Sequence, residues 1–519
     1  GYNNESELAS NTGKNYAVRW SLDLMNDTHD NKIFYSYLED PYGGDKGTSY
    51  LSRISYNNDR QRRVAFAYEG YIRPDMRLVY DQGNILNQTR RLANIEILAN
   101  NQLVRRYGFD YVNLTAEKSL SALSKISFYG SDNSSLLHQV SFDYYNSTNE
   151  YTKYTAVNWI APTLFSDVTS DFGARLVDLN NDGFMDLVRS LQVDAINRTW
   201  INNKINNFTD AGESWKLPAW ISGTIGNTYY NDMGVRFLDF NNDGFTDMMQ
   251  SVNTPSPNKK AWVNNGSTWV DVTTAWAPPI YFSIGIGGSN ATIDTGVEFV
   301  DFNGDGRTDI LQSNENDAGN PVKSAWMNNG NGWTDVSSTW VAPTTFMQFN
   351  SDQKARAVDL NGDGLPDIIE AIDKSGAKKN AWLNNGTGWT QYNSTWASPV
   401  FFLTETIADT GVRFADVNGD GLVDILQDYV SGVTQERSAY INNGTGWRSN
   451  SSWQAPETFT HNGRNIGRRL ADFNGDGFSD LIYSHRNESG EFFWTWVKTT
   501  ATPFMLKSIT NEFGGITSI

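Results

Sequence analysis

Between residues 157 and 500 one arrangement of apolar and polar positions returns six times. Short apolar runs such as "DILQS" (309–313), "DIIEA" (367–371) and "DILQD" (424–428) read as buried strands. Each is followed by two apolar stretches around Asn-Gly: "AWVNNGSTW" (261–269), "AWMNNGNGW" (325–333), "AWLNNGTGW" (381–389) and "AYINNGTGW" (439–447). Asn and Gly both tolerate positive φ, so these stretches predict β-hairpins with type I′ turns. A Trp on each side of most turns can pack across the strand pair. A third piece marks the junctions: "WIAPTLF" (159–165), "WAPPIYF" (276–282), "WVAPTTF" (340–346), "WASPVFF" (396–402) and "WQAPETF" (453–459). Its proline suits an edge strand or a connection. Each repeat therefore supplies about four strands, enough for one propeller blade. The first repeat degenerates to "TWINNKINNF" (199–208) and the last ends "FFWTWVK" (492–498), as expected where a ring closes. The fold class is all-β, with a six-bladed propeller over 156–500 and a seventh blade from flanking strands as the alternative.

Ahead of the repeats the pattern changes. Short β-type runs alternate with turns: "KIFYSYLED" (32–40), "YLSRISYNND" (50–59), "RRVAFAYEG" (62–70), "RRLANIEIL" (90–98), "RRYGFDYVN" (105–113), "LSKISFYGSD" (123–132) and "LHQVSFDYYN" (137–146). Residues 1–155 are read as a β-rich N-terminal domain, and 501–519 as a C-terminal extension.

Each repeat also carries one polar cluster: "DLNNDGFMD" from Asp178, "DFNNDGFTD" from Asp239, "DFNGDGRTD" from Asp301, "DLNGDGLPD" from Asp359, "DVNGDGLVD" from Asp416 and "DFNGDGFSD" from Asp472. Successive starts lie 61, 62, 58, 57 and 56 residues apart, too long for a helical solenoid and suited to a four-stranded blade. Position 1 is always Asp. Position 3 is always Asn (Asn180, Asn241, Asn303, Asn361, Asn418, Asn474). Position 5 is Asp (Asp182, Asp243, Asp305, Asp363, Asp420, Asp476), position 6 Gly, and position 9 Asp (Asp186, Asp247, Asp309, Asp367, Asp424, Asp480). Position 7 varies: Phe184, Phe245, Arg307, Leu365, Leu422 and Phe478. A calcium loop divides its labour in this way. Side chains at 1, 3 and 5 converge with oxygen ligands, Gly permits the sharp turn, and position 7 offers only its carbonyl, leaving its side chain free. Position 9 closes the shell. Position 2, always apolar, is read as the anchor to the blade core. Position 12 (Arg189, Gln250, Gln312, Glu370, Gln427, Tyr483) lacks the bidentate Glu of an EF-hand. Oxygen ligands without His or Cys favour Ca²⁺ over transition metals. Asx turns capped by their own side chains explain one such loop better than six alike.

Charge sharpens this. The net charge is −18, and six loops with three Asp each carry 18 carboxylates; about six Ca²⁺ would leave roughly −6. That balance disfavours nucleic acid or an anionic membrane as partner. No apolar run reaches the roughly 18 residues of a membrane helix. There is no cysteine, hence no disulfide, thiol nucleophile or cysteine-bound zinc. A start at Gly1 suggests a mature or trimmed product. Asn-x-Ser/Thr sequons are frequent, at Asn26, Asn87, Asn113, Asn146, Asn197, Asn207, Asn265, Asn290, Asn385, Asn393, Asn443 and Asn487. They predict an extracellular or secreted glycoprotein, although an Asn-, Ser- and Thr-rich chain makes many by chance.

The loops with their blades resemble the FG-GAP/VCBS repeat, the calcium-loop blade of integrin-α-type propellers. "FGAR" (172–175) and "GVRF" (234–237, 411–414) are near matches to its glycines. The resemblance covers about two thirds of the chain. It implies Ca²⁺ loops on one face and use in adhesion or as a scaffold. The N-terminal runs, with "RRLANIEIL", resemble the segment preceding the propeller in bacterial toxin-complex B components and RHS-repeat proteins. The tail "LKSITNEFGGITSI" (506–519) is similar to their RHS entry. That resemblance implies a larger polypeptide whose propeller docks a partner and gates a shell.

No catalytic arrangement is visible. His29, His138, His461 and His485 sit in unrelated contexts, and neither HExxH nor Gly-x-Ser-x-Gly occurs. "GIGGSN" (285–290) follows no βαβ pattern and reads as a loop. Loops fully coordinated by protein leave no open metal position for hydrolysis. The recurrent Trp residues suit inter-blade packing better than glycan binding. Two functional expectations follow: a secreted, calcium-bound scaffold or adhesion module with unknown protein partners or self-assembly, and, as the alternative, a toxin-complex-like component that gates a shell. Neither is an enzyme.

Overall fold

The computed structural model describes residues 7–9, 17–39, 48–75, 78–81, 84–114, 120–145, 149–155, 159–167, 170–205, 207–213, 215–226, 228–285, 291–315, 320–348, 351–352, 355–374, 376–406, 409–498 and 505–518. The sequons Asn146 and Asn290 and the glycine-rich stretch after Gly285 lie outside them. Backbone contacts divide the chain into two units. One is Gly1–Ser147 with Asn361–Gly364 and Ala501–Ile519; the other is Thr148–Leu360 with Leu365–Thr500. Among the described residues no helix is long and apolar enough to cross a membrane.

The first unit holds a ten-stranded antiparallel sheet. Its order is Leu24–Asn26, Lys32–Glu39, Ser49–Tyr56, Arg62–Tyr68, Leu92–Ala99, Gln102–Asn113, Ser121–Tyr129, Leu136–Tyr144, Leu506–Asn511 and Ile516–Ser518. Every stretch read as β-type between residues 32 and 146 carries one of these strands. Ala99 pairs with Gln102 across Asn100 and Asn101, whose φ values of 51° and 62° make the tight two-residue turn that matches strand twist. The stretch read as a C-terminal extension or the start of an RHS-like region supplies the last two strands of this sheet, with Phe142 paired to Ile509.

The second unit contains six separate sheets, one per repeat. In the third, the inner strand Val297–Val300 pairs with Asp309–Glu315, which pairs with Pro321–Asn328 and then with the outer strand Trp333–Asp335. Six such blades form a ring around a central channel. The second strand of each blade is almost wholly buried, which explains its unbroken apolar run. Closure uses both ends of the unit: Tyr151–Tyr154 is the outer strand of the sixth blade, paired with Gly490–Lys498. The boundary expected at residue 155 therefore gives way to one before Thr148, because this strand belongs to the ring.

Tryptophans join the blades. Trp276 meets Trp333 edge-to-face at 5.7 Å, Trp340 meets Trp389 at 6.0 Å and Trp396 meets Trp447 at 5.9 Å. Each pair sets a junction Trp against the hairpin Trp of the next blade, the packing role expected from their recurrence. The junction prolines lie in connections, and Trp276 and Trp396 end one-turn helices.

Glycine stands where the inner strand begins in five of the six blades, at Gly173, Gly234, Gly296, Gly411 and Gly467. Gly234 has φ 69°, and a Cβ there would stand 2.2 Å from the Ser251 carbonyl oxygen. Gly234→Ala is expected to cost about 2 kcal/mol or more, read as a lowered urea midpoint with an unchanged m-value.

Candidate metal loops

Each acidic loop connects the inner strand of a blade to the second strand. In the third blade Val300 pairs with Asp309 and the loop lies between them. Its N–H groups wrap the first aspartate: Gly304 and Asp305 donate to Asp301 Oδ1 at 2.7 and 3.1 Å, and Gly306 donates to Oδ2 at 2.7 Å. Asn303 Oδ1 accepts from Asp305 N at 2.8 Å, and its Nδ2 donates to Asp305 Oδ2 at 3.2 Å. Asp305 Oδ1 accepts from Arg307 N at 3.0 Å. The position-6 N–H likewise donates to Oδ2 of Asp178, Asp239, Asp416 and Asp472, at 2.6–2.9 Å. In the fourth loop, begun by Asp359, Asn361 Nδ2 donates to Asp363 Oδ2 at 2.9 Å. Side chains at positions 1, 3 and 5 are thus oriented by the loop backbone.

Position 9 lies deeper. Asp186, Asp247, Asp309, Asp367, Asp424 and Asp480 are all fully buried. One oxygen of each accepts a backbone N–H from the following hairpin, as Asp309 Oδ1 does from Asn328 N at 2.7 Å. The other accepts from position 2 of the same loop in five blades, as Asp186 Oδ2 does from Leu179 N at 3.0 Å. In the third blade the Phe302 N–H serves Asp309 only weakly, and Asp309 Oδ2 is buried without a close hydrogen bond. Burial pushes Asp186 and Asp247 up to about 7 and Asp309 and Asp480 up to about 8; the loop's own aspartates add to the rise. Asp424 is raised well above the usual range for the same reasons, and Asp416 up to about 6.

Among the described residues no group of three or more acidic or histidine side chains is already gathered for a metal ion. The donor set nonetheless fits a hard cation. It is all oxygen, and an oxygen that accepts one N–H keeps a second lone pair. Buried carboxylates crowded by two others are costly without a counter-charge, as the raised Asp309 and Asp480 show.

Two expectations about the repeat change. Position 7 is not free: Leu365, Leu422 and Phe478 are buried. A Cβ on hairpin Gly266 would come within 3.1 Å of Phe245 Cζ, and one on Gly330 within 3.6 Å of Arg307 Nε. Of these, only Gly266 is tight, so its missing Cβ makes room for Phe245. The hairpins also lack type I′ turns. Asn264 pairs with Trp269 across four residues, with positive φ at Gly266 but not at Asn265. The physical cause is Asn264, whose buried Oδ1 accepts from Gly266 N at 2.9 Å and shapes the turn.

That asparagine, besides shaping its turn, joins neighbouring blades. Asn264 Nδ2 donates to the carbonyl of Leu179, position 2 of the preceding loop, at 2.7 Å. Asn328 does so to Phe240, Asn384 to Phe302 and Asn442 to Leu360, at 2.7–2.8 Å. Asn202 reaches Phe473 at 2.9 Å, across the closure. In the sixth blade Lys498 takes the place, and its Nζ donates to Val417 O. Burial pushes this ammonium down to about 8, opposed by Asp416 and the other nearby loop aspartates.

The sequons differ in setting. Asn265, Asn385 and Asn487 are exposed, as are Asn26, Asn113 and Asn207. Asn443 and Asn87 are half-buried. The Asn197 amide is engaged within its blade, donating to Leu217 O at 2.8 Å and accepting from Leu217 N at 3.0 Å. Asn393 Oδ1 accepts from Ala381 N and its Nδ2 donates to Asn380, so its amide is also occupied.

The chain carries FG-GAP-like repeats, matched by the family model of that description over residues 178–249, 301–370 and 359–427. Among curated proteins, none matches the sequence. Its fold is similar to crystal structures of TcdB2-TccC3 (TM-score 0.55), of TcdB2-TccC3-Cdc42 (0.57) and of TcdB2-TccC3 without its hypervariable C-terminal region (0.54). Identity is 14% in each, over 98% of this chain. The chain spans about a quarter of the length of those proteins, at 25–26%.

Proposed function

We propose that this chain, with its FG-GAP-like repeats on a six-bladed propeller, is a non-catalytic module of a toxin-complex-like assembly. The carrying observation is that the likeness to the TcdB2-TccC3 structures extends over 98% of the chain, the N-terminal sheet as well as the propeller. On this reading the propeller is the docking or gating ring of a larger extracellular protein. Six Ca²⁺ ions stiffen the ring. In each loop, oxygens at positions 1, 3, 5 and 9 and the carbonyl at position 7 hold the ion, which supplies positive charge to a carboxylate cluster and does no chemistry. Electron microscopy of the full-length protein tests the assembly reading. A propeller closing one end of a hollow shell is expected; a propeller on an open stalk would exclude the gate. A scaffold glycoprotein is the second reading and rests on the exposed sequons Asn265 and Asn385. Peptide mapping that finds both bare removes its support.

A further inference from the structure

Every inner strand is entered through an acid, a spacer, usually a glycine, another spacer and an arginine. The acid accepts the glycine N–H and pairs with the arginine four residues on. Arg175 stands 3.0 Å from Asp171, Arg236 2.9 Å from Asp232, Arg356 3.1 Å from Asp352 and Arg413 3.3 Å from Asp409. Two blades depart from this. In the third, Glu298 replaces the arginine, and Asp294 is served by Arg236 of the second blade at 2.8 Å. In the sixth, Asn465 replaces the acid. Its Oδ1 still accepts from Gly467 N at 2.9 Å, so the turn is preserved while the charge is removed. Arg469 is left with the Ala174 carbonyl at 2.8 Å and the Phe165 ring beneath it. Among the described residues it makes no ion pair.

Beside Arg469 is a cavity of about 460 Å³ between the sixth and first blades, lined by both Arg464 and Arg469 with Asn465, Gly467, Asp167 and Asp171. Asp171 pairs with Arg175 at 3.0 Å and is held down by both Arg175 and Arg469, and Asp167 lies 3.9 Å from Arg486. Neither Arg464 nor Arg469 has an acidic partner within ion-pair distance among the described residues. We propose that this cavity is an oxyanion site, taking a carboxylate or phosphate group between the guanidiniums of Arg464 and Arg469 and the Asn465 amide. An aspartate at 465 would repel that anion and supply no N–H, whereas asparagine keeps the turn and adds a donor. A guanidinium matches the fork of either group. Burial pushes Arg469 down to about 10, with Arg175 adding to the fall and Asp171 opposing it, so its charge carries a cost that a bound anion would relieve.

Calorimetric titration of the calcium-loaded chain with acetate and with methyl phosphate, at fixed ionic strength, tests the site. Saturable one-to-one binding of at least one probe is expected, and the tighter probe identifies the group recognised. Asn465→Asp should weaken it by about tenfold or more, the loss from one charge-assisted contact, while Tm holds or rises. Arg464→Ala, at the exposed mouth, should weaken binding without loss of fold. No saturable binding of either probe, or undiminished affinity in Asn465→Asp, overturns the proposal.

Discussion

Removing calcium from the protein at about pH 7.5 is expected to lower its Tm by more than about 10 °C. A ligand at a hundredfold its Kd adds about 2.7 kcal/mol per site, and 1 kcal/mol moves the Tm of a large domain by roughly 2–4 °C. Several loops in one ring therefore act together. The loss should shrink at about pH 5, and the sign follows from position 9. Asp186 and Asp247 are raised to about 7, Asp309 and Asp480 to about 8. A carboxyl whose folded value exceeds its unfolded one binds more protons folded, so metal-free stability is greatest in mild acid. It is lost as pH rises through about 7 to 8. Calcium does the opposite, since it binds the deprotonated loop. Melts of resin-stripped and calcium-loaded protein at both pH values check this. An unchanged melt after verified metal removal, or an equal loss at both pH values, would sink the assignment.

What could be read in advance depended on repetition. Six copies of the loop exposed which positions hold fixed residues, and the same copies made the blade count legible. Single events stayed hidden. Tyr151–Tyr154 joins Gly490–Lys498 from the opposite end of the unit, and nothing local in "YTKY" announces a partner that distant. The Asn328 contact with Phe240 spans 88 residues. Repetition also misled. Variation at position 7 looks like freedom, whereas Leu422 is buried. Asn-Gly looks like a two-residue turn, whereas the buried first asparagine of each hairpin draws the loop out to four. The tail reads as the start of something new because its partners lie more than 300 residues earlier, as with Tyr144 and Leu506.

Asn328→Ala is expected to destabilise the propeller by about 3 kcal/mol or more, although the residue touches no loop carboxylate with its side chain. The side chain is 1% exposed and serves three backbone groups. Its Nδ2 donates to Phe240 O at 2.8 Å and Thr308 O at 3.2 Å, and its Oδ1 accepts from Gly330 N at 2.9 Å. Alanine leaves all three without this partner; the buried Phe240 carbonyl bears the full cost of about 1–3 kcal/mol, and the two part-buried groups bear less. Two of those bonds lie within the third blade, but the Phe240 bond ties it to the second, so cooperativity should suffer along with stability. Phe240 sits beside Asp239, which links the stitch to the neighbouring loop's shape. The variant should therefore also weaken calcium binding at the second loop, whose residues are untouched. Urea unfolding with and without calcium, compared with the exposed control Asn331→Ala, separates these effects. A midpoint within experimental error of the parent would mean that the ring of side-chain stitches contributes little, and that aromatic packing such as Trp276 on Trp333 holds the blades together instead.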